Sequence, residues 1–351
     1  MEIADFSIMA LHPPIGLDAA DTPSIAIAAS RAGGIGVLDL EFLSAEQARV
    51  GCMNLLRSSA DGRCGIRCGI EQLEGLEDLI SRSSGTAGPR NVVVLCVREQ
   101  RYNLEHLRET VSLLHLHNLD VFCEVISEAE AKIAESAGVD VVIVKGNESS
   151  GRVGEETAAI LLQRCARSIE LPLWVRGGIG MHTAAAAIVG GARGLVLDSQ
   201  LLLTRESPLG PLDREFVSRL DGTETLCLPI GKREQYRVRL RSGSAEGPAL
   251  QSQLETMSAD LSHAQEQSAA AINNQETKCR NLIFKTIQQQ CFSTGASMAI
   301  LPLGQDAAFA ARFAKRHISV AAIMAALASA VFDHCRAAAA LKPFAAGSPL
   351  A

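Results

Sequence analysis

Aromatic side chains are scarce in this sequence of 351 residues: one Trp, two Tyr and ten Phe, or 4% of the chain. A core without them must be built from Ala, Leu, Ile and Val, and hydrophobic residues do reach 47%. Excess basic charge is missing too. Against 33 Lys and Arg stand 39 Asp and Glu, a formal net charge of −6, so neither nucleic acid nor an anionic membrane is an expected partner. No uncharged apolar run reaches the ~20 residues of a bilayer span. The opening MEIADFSIMA carries two acids and no basic stretch, which speaks against a signal peptide. Ten cysteines are present but no CxxC; the closest pair is Cys64 and Cys68. Zinc and disulfide frameworks lack the spacing they need, and buried thiols in a reducing cytoplasm are expected, with no metal.

What the sequence does hold is alternation. Short β-branched runs at Phe6–Ala10, Ile35–Leu38, Cys64–Ile70, Asn91–Val97, Asp120–Val125, Val139–Lys145, Leu171–Arg176 and Gly194–Asp198 read as strands. Amphipathic helical patterns lie between them, at Ser24–Ala32, Ala45–Ser58, Leu104–His117, Glu128–Ala137 and Glu155–Ser168. Several end in glycine just before the next strand, as helix C-termini do. Strict strand–helix alternation implies a parallel sheet. Eight such strands over about 200 residues imply an α/β fold, a closed (β/α)8 TIM barrel, rather than an open doubly wound sheet. After Pro208 the alternation stops. Thr223–Pro229 and Gln235–Leu240 predict a hairpin around Gly231, and polar helices follow at about 249–270 and 276–290. The expected organisation is a barrel over 1–210, an insert of short strands and polar helices over 211–297, a helical return to the barrel over 298–342, and a linker-like tail over 343–351. The return includes a long Ala-rich helix at about Ser319–Leu341.

Functional groups of such a barrel gather where its strands end. The seventh predicted strand ends in Arg176-Gly177-Gly178, and the eighth in Asp198-Ser199. The sixth ends in a loop carrying Lys145, Asn147, Glu148, Ser149, Ser150 and Arg152. Glycine turns point backbone N–H groups outward, and the following helix adds its positive end, so a phosphate is the natural guest of this rim. Gly190, Gly191 and Gly194 read instead as helix-capping glycines.

These segments resemble the flavin-dependent barrel family of nitronate monooxygenase and the enoyl-acyl-carrier-protein reductases. The resemblance rests on Ala32-Gly33-Gly34-Ile35-Gly36, on the loop Gly146 to Gly154, on Gly177-Gly178-Ile179, on Gly190 to Leu195, and on Gly304-Gln305-Asp306-Ala307-Ala308. It covers about 5–210 and 298–342. It implies FMN, with the phosphate at Gly151, Gly177, Gly178 and Ser199, beside Asp198, and the ring near Ala10, Lys145, Gly304 and Gln305. Lys145, where the family usually has Gln, would supply a cation to the reduced ring; otherwise it reads as a rim lysine paired with Glu148.

The departures bear on catalysis. The family's catalytic histidine falls on Arg152, which stays protonated and cannot act as a general base, though it could bind an oxyanion. His12 is the histidine placed for catalysis on the rim; otherwise it reads as a solvent-facing loop residue. Asp198 stands where the family has a glycine, and Arg176 or Arg193 would have to offset its charge. The resemblance therefore implies an FMN-dependent oxidoreductase acting on an acyl thioester or other small activated acid, with Arg152, His12 and Lys145 as the candidate catalytic residues. The alternative is a catalytically degenerate barrel that binds or docks within a biosynthetic multidomain assembly. An isomerase- or aldolase-like barrel would explain the phosphate site but lacks a clear Schiff-base lysine or acid pair. The ending Pro343 to Leu350 resembles inter-domain segments of polyketide-synthase-like proteins, which implies neighbouring synthase domains and a carrier-bound acyl substrate as possible partners.

Overall fold

A computed structural model describes residues 6–15, 22–59, 62–76, 90–96, 103–231, 233–240, 248–249, 252–253, 255–256, 269–291 and 300–340. Eight parallel strands close into a barrel: β1 (Ser7–His12), β2 (Ile35–Asp39), β3 (Arg63–Cys68), β4 (Val92–Cys96), β5 (Asp120–Val125), β6 (Val141–Lys145), β8 (Leu173–Arg176) and β9 (Gly194–Leu197). β9 pairs back onto β1, with Ala10 opposite Leu197. The expected TIM barrel is the observed one, and the predicted strand β5 matches residue for residue. The other strands begin or end one or two residues from the apolar runs, because ladder pairing rather than side-chain type sets their limits.

Alternation along each strand separates two apolar layers. Met9, Leu11, Ile35, Val37, Val92, Val94, Phe122, Ile143, Trp174 and Val196 fill the barrel interior. Their neighbours, including Ile8, Ala10, Leu38, Leu95, Cys123, Val144 and Leu197, pack outward against the helices. With one Trp in the chain, its ring matters: it meets Phe122 edge-on, centroids 5.1 Å apart, and lies against Gly194. A Cβ at Gly194 would stand 2.1 Å from that ring, and one at Gly36 would stand 1.8 Å from the Ala26 carbonyl oxygen. Neither neighbour can retreat far in a packed wall. Gly36→Ala is expected to lower the unfolding free energy by about 1–3 kcal/mol or more, read as a lower urea midpoint at unchanged slope.

Helices form where caps and stripes coincide. Ala45–Ser58 opens with a reciprocal capping box between Ser44 and Gln47. Glu128–Ala137 opens on Ser127 and closes at Gly138, whose φ is 85°. Nine cysteines are free thiols, most of them buried, and none forms a disulfide among the described residues.

The predicted hairpin forms as β10 (Thr225–Pro229) and β11 (Gln235–Leu240). The free edge of β11 takes β12 (Ile300–Pro302) and then β7 (Gly151–Val153), both antiparallel. β7 belongs to the loop after β6, so the second sheet is stitched directly to the barrel mouth. Its core joins Tyr236, Val238, Ile300 and Leu303 to Ile283 and Ile287 of helix Ala269–Cys291. Phe42 from the barrel packs on both Tyr236 and Phe284. Most of the expected helix at 249–270 lies outside the described residues, as does the tail 343–351. Helix Val320–Ala339 is long and apolar enough to cross a membrane by length and composition. It carries Asp333 and Arg336, however, and buries Val320, Ile323, Met324, Leu327 and Val331 in the outer layer of the barrel.

Candidate functional site

One step of two residues beyond the apolar interior brings each strand to the mouth. That step runs from Val37 to Asp39, Gly65 to Arg67, Val94 to Cys96, Phe122 to Glu124, Ile143 to Lys145, Trp174 to Arg176 and Val196 to Asp198. Register keeps several at one level: Asp39 is opposite Arg67, Cys96 opposite Glu124, and Lys145 opposite Arg176. The top interior layer of this barrel is therefore polar on seven of eight strands. Three cations, Arg67, Lys145 and Arg176, meet three anions, Asp39, Glu124 and Asp198, so the layer is formally neutral.

Glu124 is its hub. Arg67 donates from Nη2 to Glu124 Oε1 at 2.7 Å and from Nη1 to Asp39 at 2.8 Å. Arg67 also reaches Glu41 at 3.1 Å. Lys145 Nζ donates to Glu124 Oε1 at 3.2 Å. Arg176 pairs with Glu124 Oε2 and donates to Asp198 Oδ2 at 2.8 Å. Ser150 Oγ donates to the same Asp198 oxygen at 3.0 Å. All six charged groups are buried, Lys145 at 1% exposure.

The field they make is visible in their protonation. Burial alone would raise the Glu124 carboxyl, but Arg176, Arg67 and Lys145 hold it well below the usual range. Asp198 is likewise lowered, by Arg176 against burial. Asp39 is raised, because its burial outweighs Arg67. Burial and the neighbouring Arg176 push the Lys145 ammonium down to about 8.

Several residues singled out by motif stand elsewhere. Ala10 faces the outer layer rather than the mouth; Leu11 is the interior residue of that strand end. His12 also turns outward. It is 0% exposed, not solvent-facing, and its Nδ1 accepts the Ile25 backbone N–H at 3.3 Å. Lys145 pairs with Glu124, not with Glu148. Arg152 sits in β7, opposite Tyr236. Its guanidinium is committed to Glu130 and, at 2.7 Å, to Glu234, and these carboxylates hold it protonated. Gln305 is exposed at its side chain, while its backbone N–H donates to the Glu148 carbonyl at 2.8 Å. Asp198 does meet the arginine expected to offset it. Sequence reasoning passed over Asp39, Arg67 and Glu124. The signal for them was parity, since each follows an interior apolar residue by two.

The glycine turns follow the carboxyl ends of β6 and β8. Gly151, Gly177 and Gly178 have φ of 73°, 114° and 64°, a backbone open to L side chains only with strain. Ser199 is buried, and its Oγ accepts the Gly304 N–H at 3.1 Å. The acids around this rim decide what it can hold. The Glu148 carboxylate lies on the turn, 3.1–3.2 Å from where Cβ atoms of Gly177 and Gly178 would be. It accepts the Ala158 N–H at 3.1 Å. Asp306 Oδ2 accepts from Gln200 at 3.0 Å. Burial, then the nearby Asp198 charge, raises Asp306 well above the usual carboxylate range.

FMN does not fit this arrangement. Its phosphate would meet the Asp198 carboxylate, and one unit-charge repulsion at 4 Å costs about 4 kcal/mol at an effective dielectric of ~20. Its ring would need the mouth, which Arg67, Lys145, Arg176 and Glu124 occupy. The cavity between Leu11, Asp39, Gly151, Arg176, Asp198 and Ser199 measures ≈ 40 Å³, while a second one, lined by Glu41, Arg67, Cys96, Arg152 and Phe284, measures ≈ 310 Å³, at the lower end of the roughly 300–1,000 Å³ of small-molecule sites. In its favour stand the three glycine dihedrals and two buried oxygens without a partner, Ser149 Oγ and Asp306 Oδ1.

Comparison with known proteins follows the same lines. The family model for nitronate monooxygenase matches residues 103–228. A curated relative, the (3aS,4S,5R,7aS)-5-hydroxy-7a-methyl-1-oxo-octahydro-1H-indene-4-carboxyl-CoA dehydrogenase of Rhodococcus jostii, is 26% identical over 195 residues. That match takes in 53% of this chain and 55% of the relative, so the chain spans about half the relative's length. Among solved structures, FabK from Thermotoga maritima superposes with a TM-score of 0.72 at 19% identity, covering 95% of both chains. The enoyl reductase domain of MlnA from the macrolactin biosynthesis cluster of Bacillus amyloliquefaciens gives 0.67 at 14% identity, covering 94% of this chain and 95% of that one. The two sequence matches are to a monooxygenase and a dehydrogenase, and they support an oxidoreductase of the barrel type. The chain is thus similar to nitronate monooxygenase over one segment, and it shares the barrel fold of FabK and of the MlnA enoyl reductase domain.

Proposed function

We propose that this chain is a member of the oxidoreductase barrel family whose flavin mouth has been replaced by internal ion pairs, and that it serves as a binding or docking module in a biosynthetic multidomain assembly. One observation carries the reading: the neutral layer of Arg67, Lys145, Arg176, Asp39, Glu124 and Asp198 fills the strand ends. A buried, mutually paired network of this kind resists opening. Any side chain that swings out leaves a partner uncompensated, at several kcal/mol for each. Arg152 is held protonated and His12 faces away, so neither supplies a general base to this mouth. The MlnA domain, of the same fold, comes from a biosynthesis cluster, which agrees with a place beside synthase domains and a carrier-bound acyl partner in the cytoplasm.

A second reading is the FMN-dependent oxidoreductase itself, acting on an acyl thioester. The positive φ values at Gly151, Gly177 and Gly178 favour it, as does the curated relative, whose name gives a carboxyl-CoA as the group acted on. On that reading the protein would place and polarise the flavin, which supplies the redox chemistry, with Lys145, Gly178 and Ser199 around it. The visible spectrum of the purified protein separates the two. The ion-paired mouth predicts a colourless protein that stays colourless after incubation with FMN and gel filtration. A flavin band retained at near-stoichiometric occupancy would establish the oxidoreductase reading instead.

A further inference from the structure

We infer that His182 and His334 form a two-histidine site for a divalent transition-metal cation of the zinc class, and that the cation clamps the returning helix Val320–Ala339 onto the barrel. His182 Nδ1 and His334 Nε2 stand 3.1 Å apart. Their ring centroids are 4.9 Å apart and their planes are inclined by 48°, so the rings converge instead of stacking. Zn–N bonds of about 2.0–2.1 Å to two nitrogens so spaced enclose an angle of about 95–102°, between the square and tetrahedral values. Imidazole nitrogen suits zinc, copper and nickel. His182 is exposed and His334 half-buried, so a cation reaches the pair from solvent.

The local structure leaves both side chains to this pairing. His182 is the N-cap of helix Thr183–Val189 yet makes no side-chain capping bond, although a cap residue ordinarily turns back onto the helix N–H groups. The next residue closes the turn: Thr183 Oγ1 accepts the Gly180 N–H at 2.7 Å and donates to the Gly178 carbonyl at 2.6 Å. His334 lies late in helix Val320–Ala339, between the buried Val331 and Cys335. In the pair as it stands, one ring nitrogen donates its N–H to the lone pair of the other. A cation takes the place of that shared proton. The donating ring moves its proton to its other nitrogen, both lone pairs face the metal, and no net proton is released. Among the described residues no third His, Cys, Asp or Glu completes a site made by protein alone, so the remaining positions belong to water or an external ligand, as in open zinc sites. Sequence spacing does not show the pair, because 152 residues separate its members. The clamp ties the end of the chain to the turn after β8. It acts outside the mouth, so it holds whether or not flavin binds there.

The test uses zinc chloride alone as the probe, on wild type, H182A, H334A and H182A/H334A. Binding is followed by calorimetric titration, thermal melting and long-range proton–nitrogen NMR of the imidazole rings. Wild type should bind a zinc ion that the double variant does not. Each single variant should bind it at least ~10-fold more weakly, since losing a ligand exceeds the ~10–100-fold cost of losing a ligand's outer partner. Zinc should raise the melting temperature of wild type and leave that of the variants unchanged. In the NMR spectrum, zinc should move His182 Nδ1 and His334 Nε2 most. If variants at His334 do not fold, H182A, at the exposed position, takes their place. Equal zinc binding by wild type and the folded variant would overturn the inference, as would no zinc binding by wild type in the micromolar range. Zinc-induced shifts confined to other imidazoles would overturn it as well.

Discussion

Replacing Glu124 by Ala should cost this protein about 3–5 kcal/mol of unfolding free energy, the price of leaving buried charges without a partner. Glu124 is the one carboxylate that touches all three mouth cations, Arg67, Lys145 and Arg176. Its loss takes from Lys145, at 1% exposure, its carboxylate partner, and leaves Arg67 to Asp39 and Glu41 and Arg176 to Asp198. Glu124→Gln keeps the shape and two hydrogen-bonding atoms but not the charge, so it should lose less than Ala yet remain clearly destabilised in urea. The pH dependence follows from the same group. Its folded-state carboxyl lies well below the ordinary glutamate value of 4.5. A depressed carboxyl contributes stability that is present above that ordinary value and is lost as pH falls through the folded value. Wild type should therefore lose stability from this group only below pH 4.5, and Glu124→Gln should lack that part of the acid slope. Lys145 acts at the other end. Its folded value of about 8 lies below the ordinary 10.5, so the unfolded chain holds the proton more tightly and stability should rise between those two values. Lys145→Met should abolish the rise.

Arg152→His should restore no nitronate oxidation and should itself destabilise by about 3–5 kcal/mol. By motif, Arg152 occupies the position of the family's catalytic histidine. By structure, it lies in β7 and reaches Glu130 and Glu234 across the second sheet. An imidazole there is too short to span both carboxylates, so at least one of the buried Glu130 and half-buried Glu234 loses its guanidinium. Activity with a nitronate, assayed by oxygen uptake on the folded variant, should stay at the level of wild type. Melting by far-ultraviolet circular dichroism should drop by several degrees.

The barrel was legible because its signals are local. Apolar runs such as Asp120-Val121-Phe122-Cys123-Glu124-Val125 declare both strand and parity, and glycines such as Gly138 mark where helices stop. The hairpin of β10 and β11 was readable for the same reason. The mouth was only half legible. Matching motifs position by position put Ala10 near the ring and His12 on the rim, yet alternation from the interior residues Met9 and Leu11 sends both outward. The same counting would have drawn attention to Arg67 and Glu124, which no motif marks. Arg152 was beyond local reading, since its direction depends on β7 joining the edge of a strand 82 residues later. The meeting of Asp306 with Gln200 depends on a still longer return of the chain.

A crystal structure of the full chain grown in millimolar FMN tests the central claim most directly. The ion-paired mouth predicts unbroken density linking Asp39, Arg67, Glu124, Lys145, Arg176 and Asp198, with Glu148 on the turn at Gly177 and Gly178 and no flavin. An isoalloxazine ring over Leu11, with Arg67 and Arg176 swung aside and a phosphate on the turn at Gly177 and Gly178, would contradict it.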